Sequence, residues 1–99
     1  MNTVNIAGRV SEEPTKATSS NGLPYAKFKM AVDKIGKDNN VSGYDLFEVI
    51  VFGEMANMKI ENGQFVGVTG RLAANNYDRD GKHFYNCQII GNVVNSFGC

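Results

Sequence analysis

Tyr44-Asp45-Leu46-Phe47-Glu48-Val49-Ile50-Val51-Phe52-Gly53, followed directly by Glu54-Met55-Ala56-Asn57-Met58-Lys59-Ile60-Glu61, is the stretch that decides the fold. The first segment is the most apolar of the chain, and it alternates. Phe47, Val49 and Val51 share one side; Leu46, Glu48, Ile50 and Phe52 share the other. That pattern predicts a strand. Both sides are largely apolar, so one is core and the other an interface or a ligand surface. The second segment, 54–61, is made of good helix formers. It predicts about two helical turns, ended by Asn62-Gly63.

Two strands precede this unit. Thr3 to Val10 is short and β-branched. Pro24 to Asp33 alternates cleanly, with Ala26, Phe28, Met30 and Val32 on one side and Tyr25, Lys27, Lys29, Ala31 and Asp33 on the other. Residues 34–43 are polar and rich in Gly and Asn, which predicts a loop. Two strands follow it. Gln64 to Tyr77 is long and contains Gly67 and Gly70; glycine inside a strand marks a bulge or a sharp bend, as barrel corners need. Tyr77-Asp78-Arg79-Asp80-Gly81 is a hairpin turn, and Lys82 to Val94 returns. Turn pairs at Asn21-Gly22, Ser42-Gly43, Asn62-Gly63 and Asp80-Gly81 separate the segments. The order is three strands, a short helix between the third and fourth, then two strands. That is an all-β chain with the order of the OB fold, a five-stranded Greek-key barrel that binds oligonucleotides or oligosaccharides.

Composition narrows the function. The chain has 99 residues, 42% hydrophobic and 20% charged, which fits one globular domain over 1–99 and excludes disorder. Its longest apolar run, Val49 to Phe52, is far short of the roughly 20 residues that span a bilayer. No signal peptide is visible at the N-terminus. Cys87 and Cys99 lack metal or redox spacing, which points to a reduced, cytoplasmic setting; in mid-strand, Cys87 reads as a small buried or half-buried hydrophobe. His83 has no Cys, Asp or His at ligand spacing, so no metal is expected. There is no nucleophile–base set, carboxylate pair, Walker loop or G-x-G-x-x-G, so neither an enzyme, a cofactor nor a small-molecule substrate is expected. Ten Lys+Arg balance ten Asp+Glu. A neutral chain cannot hold a polyanion by a basic field alone.

Six elements, in order, resemble the bacterial and phage single-stranded DNA-binding protein family. Asn2-Thr3-Val4-Asn5-Ile6-Ala7-Gly8-Arg9-Val10 looks like that family's first strand. Glu13-Pro14 fits its D/E-P pair, and Asn21-Gly22 with Ala26-Lys27-Phe28 fits its N-G-x-x-(V/Y)-A-x-F element. Phe47 to Glu54 resembles the strand ending V-V-(L/V)-(F/W)-G-K, and Gly63 to Leu72 resembles G-x-x-V-x-(I/V)-x-G-(R/Q)-L. Tyr77 to Gly81 resembles the (W/Y)-x-(D/N)-x-(D/S)-G hairpin, with Tyr85 as the aromatic after it. The resemblance covers nearly the whole chain. It implies an OB barrel, usually a homotetramer, that binds and protects single-stranded DNA in replication, recombination and repair. Such binding stacks bases on aromatic rings and tracks phosphates with Lys and Arg.

Carried onto this sequence, Phe52 takes the main stacking position and Tyr77 that of the Trp opening the hairpin; either could instead be ordinary packing. Tyr25, Tyr44 and Tyr85 are further stacking candidates, or simply cover the barrel. Lys27 and Lys29 share one side of a strand at about 7 Å, which suits successive phosphates; exposed lysines also guard strand edges. Arg9, Arg71, Arg79 and Lys82 are expected around the groove, although Asp78 and Asp80 offset the last two. The first strand, Asn2 to Val10, is the expected surface for self-association. The departures are specific. Leu46 replaces an aromatic, no Trp is present, Glu48 stands where Arg or Asn is usual, and Ala73-Ala74-Asn75-Asn76 carry no charge. No acidic, Phe-ended tail follows Asn95 to Cys99; either a longer protein was shortened, or a phage, mobile-element or replication-restart relative is implied. Two other functions are compatible with these residues: a primosome-type dimer bridging DNA and a helicase, and an OB module that binds protein in place of DNA.

Overall fold

A computed structural model of the chain describes residues 1–96, without the side chains of 75–77 and 84–86. Six strands are present: β1 (Val4–Val10), β2 (Thr15–Thr18), β3 (Pro24–Ile35), β4 (Val41–Phe52), β5 (Phe65–Arg79) and β6 (Lys82–Ser96). Their order is β1-β5-β6-β4-β3-β2, and β1 also pairs with β3. That extra pairing, Arg9 to Ala31 and Val10 to Met30, closes a five-membered ring of β1, β5, β6, β4 and β3. All neighbours in the ring are antiparallel except β4 and β6. The result is the OB barrel that the strand order predicts.

The alternation read in Pro24–Asp33 sets the interior. Ala26, Phe28 and Met30 are buried and Val32 is half-buried, while Lys29 and Asp33 face out. Val10, Val49, Val51, Val66, Val68, Ile89 and Val94 fill the rest of the core, and Ala56 and Ile60 close one end. Among the described residues no polar side chain is buried.

Two glycines are required by close approach. A Cβ on Gly8 would stand 2.3 Å from the Ala31 carbonyl oxygen, at the point where β1 crosses onto β3. A Cβ on Gly70 would stand 2.0 Å from the Ile90 carbonyl oxygen, and the β5–β6 register shifts between Thr69 and Gly70. Thr69 pairs with Val93 and Gly70 with Gly91, so Asn92 is the extra residue of a bulge. The bulge expected at a strand glycine is therefore present at Gly70. At the other end of the hairpin, Asp80 (φ 53°) and Gly81 (φ 79°) form the two-residue turn with both φ positive that suits right-twisted strands.

Several expectations are corrected. The segment 54–61 is not two α-helical turns. A 3-10 helix spans Gly53–Asn57, Met58 N–H donates to the Met55 carbonyl at 3.2 Å, and Met58 is already extended. The whole connection between β4 and β5 is residues 53–64, no longer than the length at which an isolated helix is marginal in water. A sixth strand, β2, pairs with β3 from Thr15–Lys27 to Thr18–Pro24. All four of its residues are exposed, so it lacks the apolar alternation by which strands are read. Residues 34–43 are not one loop: β3 runs to Ile35, β4 starts at Val41, and the turn is made at Asn39 (φ 60°). Ser42-Gly43 therefore lies inside β4. Phe47 shares its side with Val49 and Val51 but remains 36% exposed, and Cys87 is exposed as well.

The last two corrections have one cause. β4 meets β6 only over Glu48–Val51, and β1 meets β5 only up to Gly70. Phe47 and Cys87 each stand one residue before the first β4–β6 partners, and the hairpins become two-stranded arms only from Val32–Asp45 and from Ala74–Cys87 outward. The arms raise the radius of gyration to 14.7 Å, against about 13 Å for a compact chain of this size. The Asn2 side chain holds the root of the β5–β6 arm, donating to the Leu72 carbonyl (2.7 Å) and accepting from its N–H (2.9 Å).

Candidate nucleic-acid interface

Residues opposite one another in a ladder point to the same side of the sheet, so the register assembles the outer face. Across β3, β4, β6 and β5 one row reads Lys27, Ile50, Ile90, Arg71. The next reads Lys29, Glu48, Gln88, Ala73. On the other side of the first row, Tyr25 faces Phe52. Three strand spacings separate Lys27 from Arg71, about 14 Å. The face therefore has an apolar floor, Ile50 and Ile90, between cationic rims.

The aromatic end of this floor is preorganised. Tyr25 and Phe52 have ring centroids 6.0 Å apart and planes tilted by 51°, a contact worth about 0.5–1.5 kcal/mol beyond area burial. Phe52 remains 36% exposed. Ring area is thus available outside the core, while each ring limits the rotamers of the other. Among the described residues Lys27, Lys29 and Arg71 enter no ion pair, so their charges are open to an anion. At the centre of the second row, Gln88 Nε2 donates to Glu48 Oε1 across the parallel β4–β6 pair.

The remaining predicted residues lie elsewhere. Tyr44, 64% exposed, is on the same side of β4 as Phe52 but eight positions back, about 26 Å along the strand. There it lines a concavity of about 440 Å³ with Ala7, Arg9, Ala31, Asp33 and Phe65. Arg9 is engaged locally: its Nη1 donates to the Gly63 carbonyl at 3.1 Å, and its guanidinium sits 5.7 Å from the Phe65 ring centroid. Arg79 and Lys82 face each other at the tip of the β5–β6 arm. The Asp78 carboxylate is engaged by His83 (Oδ1 to Nδ1, 2.7 Å) and not by either of them. Tyr77 pairs with Phe84 and Tyr85 with Asn76 through the backbone; both rings lie outside the described residues.

One face thus unites Phe52, Tyr25, Lys27, Lys29 and Arg71, and the arms and β1 carry the others. Sequence reading did not include Ile50, Ile90 or Gln88 in this site. Alternation does turn Ile50 outward, but only the β4–β6 pairing brings residues 40 positions apart onto one floor.

Residues 1–97 match the model of the Single-strand binding protein family. The chain belongs to this family. It is 31% identical over 99 residues to Single-stranded DNA-binding protein 3 of Clostridium acetobutylicum, covering 95% of this chain and 69% of that protein. It is 29% identical over 101 residues to Single-stranded DNA-binding protein 1 of Staphylococcus aureus, covering 95% and 64%. The chain spans about two thirds of the length of these relatives. A crystal structure of a small single-stranded DNA-binding protein from Streptomyces coelicolor superposes with a TM-score of 0.75 at 21% identity, covering 95% of this chain and 92% of that one. At that identity the likeness bears on the fold, and it agrees with the barrel traced above. No helix among the described residues is long and apolar enough to cross a membrane.

Proposed function

We propose that this chain binds single-stranded DNA, without catalysing a reaction, on the outer face of β3, β4, β6 and β5. The observation that carries the reading is the row Lys27–Ile50–Ile90–Arg71 beside the Tyr25–Phe52 pair. An apolar, aromatic floor accepts unstacked bases, which only a single strand offers, and the cationic rims take the phosphates. Phe52 and Tyr25 stack bases; Lys27, Lys29 and Arg71 hold the backbone. Tyr77, Tyr44 and Tyr85, with Arg9, Arg79 and Lys82, extend the path along the arms and past β1. Cytoplasmic protection of single strands during replication, recombination and repair is the role that follows.

Three rim cations predict a measurable salt dependence. In a fluorescence anisotropy titration of labelled oligo-dT, log K should fall against log salt with a slope of about −2 from the rim cations alone, at roughly 0.7 per neutralised phosphate, and of about −4 when Arg9, Arg79 and Lys82 engage as well. A slope near zero, or no binding at low salt, refutes the reading.

Few charges per chain make self-association the means of raising affinity, because several grooves then act on one strand. A homotetramer joined through β1 is the assembly we infer. Among the described residues, the second edge of β1 has no strand partner from Val4 to Gly8, while its first edge is paired to β5. Light scattering should give the mass of four chains. Two chains would favour the primosome-type dimer, and one chain would remove the β1 interface.

A further inference from the structure

We infer that Glu48 biases this face toward bases carrying an exocyclic amine, cytosine first; the inference rests on the single-stranded DNA reading above. Glu48 is the only acidic residue in the two rows that span the floor. It sits between Lys29 on β3 and Gln88 on β6, at the centre of the second row and not on a rim. A half-buried carboxylate there repels phosphate, and Lys27, Lys29 and Arg71 attract it at the margins. The backbone of a bound strand is therefore pushed to the rims, and base edges pass over the centre.

What those edges meet is an acceptor. A carboxylate has about four lone-pair directions, and Gln88 Nε2 takes one of them on Oε1. That bond also fixes the rotamer, so the remaining directions are held in place. Cytosine offers a two-hydrogen amine at N4; uracil presents a carbonyl oxygen at the same position, which a carboxylate repels. Glu48 is next to the floor residue Ile50 on the same side of β4, and Phe52 lies one step beyond. A base stacked on the Tyr25–Phe52 pair thus has a neighbour within reach of the carboxylate.

The test compares oligo-dC and oligo-dU of equal length by anisotropy, at mildly alkaline pH and low salt, with the wild-type chain and Glu48→Gln. The two oligonucleotides lack the thymine methyl and differ at the pyrimidine edge alone. The wild type should bind oligo-dC about fivefold or more tightly, the low end for one well-placed base-edge pair. Glu48→Gln keeps the shape and can still pair with Gln88, but its amide also donates to the uracil carbonyl. In that variant the ratio should fall toward one, chiefly through tighter oligo-dU binding. Equal binding of both strands by the wild type, or a preference that survives in Glu48→Gln, overturns the inference and leaves the DNA reading standing. No binding of either strand overturns both.

Discussion

Replacing Phe52 and Tyr25 together by alanine weakens oligo-dT binding by about 30-fold, with Phe52→Ala alone giving about fivefold. Base–aromatic stacking is worth about 1–3 kcal/mol per base, and the lower value taken twice gives this figure. The pair is the best-formed part of the face. Its rings already touch at 6.0 Å, so little conformational freedom is lost when a base settles on them. Neither ring belongs to the core, so the variant should stay folded, with a midpoint lowered by about 2–12 °C for the lost ring contact. Anisotropy with the melted and folded states checked by circular dichroism separates the two effects. Unchanged affinity in the folded double variant would move the stacking surface elsewhere, to the arms or to the concavity beside Tyr44.

Gly70→Ala tests the barrel beneath that face. The added Cβ would meet the Ile90 carbonyl oxygen at 2.0 Å, the Ile90 carbonyl carbon at 2.8 Å and Gly91 Cα at 2.9 Å. All three are main chain, so no side-chain rotation relieves the contact. The β5–β6 ladder must shift at the bulge. We expect a loss of about 3 kcal/mol, the upper part of the range for overpacked sites. That lowers the midpoint by about 12–24 °C in a domain of this size. Gly36→Ala is the control: its nearest neighbours would lie at 3.5 Å, and it should unfold within a few degrees of the wild type. A small effect of Gly70→Ala would show that the bulge relaxes freely and does not fix the arm. Arg71 and Ile90 flank the bulge, so a variant that does fold should also bind DNA less well.

What could be read in the sequence was whatever is written in local alternation and turn chemistry. Ala26, Phe28 and Met30 turn inward as their spacing requires, and Asp80-Gly81 makes the hairpin that its residue types prescribe. Gly70 marks a bulge because a strand interior tolerates glycine poorly unless something needs the space. The features that escaped are those fixed by distant partners. β2 is a strand because β3 offers it an edge, with no buried face of its own. Phe47 and Cys87 are exposed because each lies just outside the β4–β6 pairing, which no local pattern records. The site divides in the same way. Phe52, Lys27 and Lys29 were legible as outward residues of single strands. Their union with Ile90 and Arg71 depends on the parallel β4–β6 pairing.

Net charge has a sharper meaning in this arrangement. Ten positive and ten negative charges cancel over the whole chain, yet the floor carries three cations at its rims and one carboxylate at its centre. Glu54 and Glu61 lie in and beyond the 3-10 turn, and Asp78 is held by His83 in the arm. Neutrality therefore limits the long-range field without removing the local one. On the proposed reading it shifts the burden of binding to stacking, which discriminates a single strand from a duplex.

That discrimination is the most direct measurement of the account. Labelled oligo-dT and a duplex of equal length, titrated by anisotropy at the same low salt, compare stacking with plain charge attraction. The face described here predicts binding of the single strand and at least about tenfold weaker binding of the duplex, whose bases are not free to stack. Equal affinity for the two would reduce the interaction to electrostatics and contradict the role given to Phe52 and Tyr25.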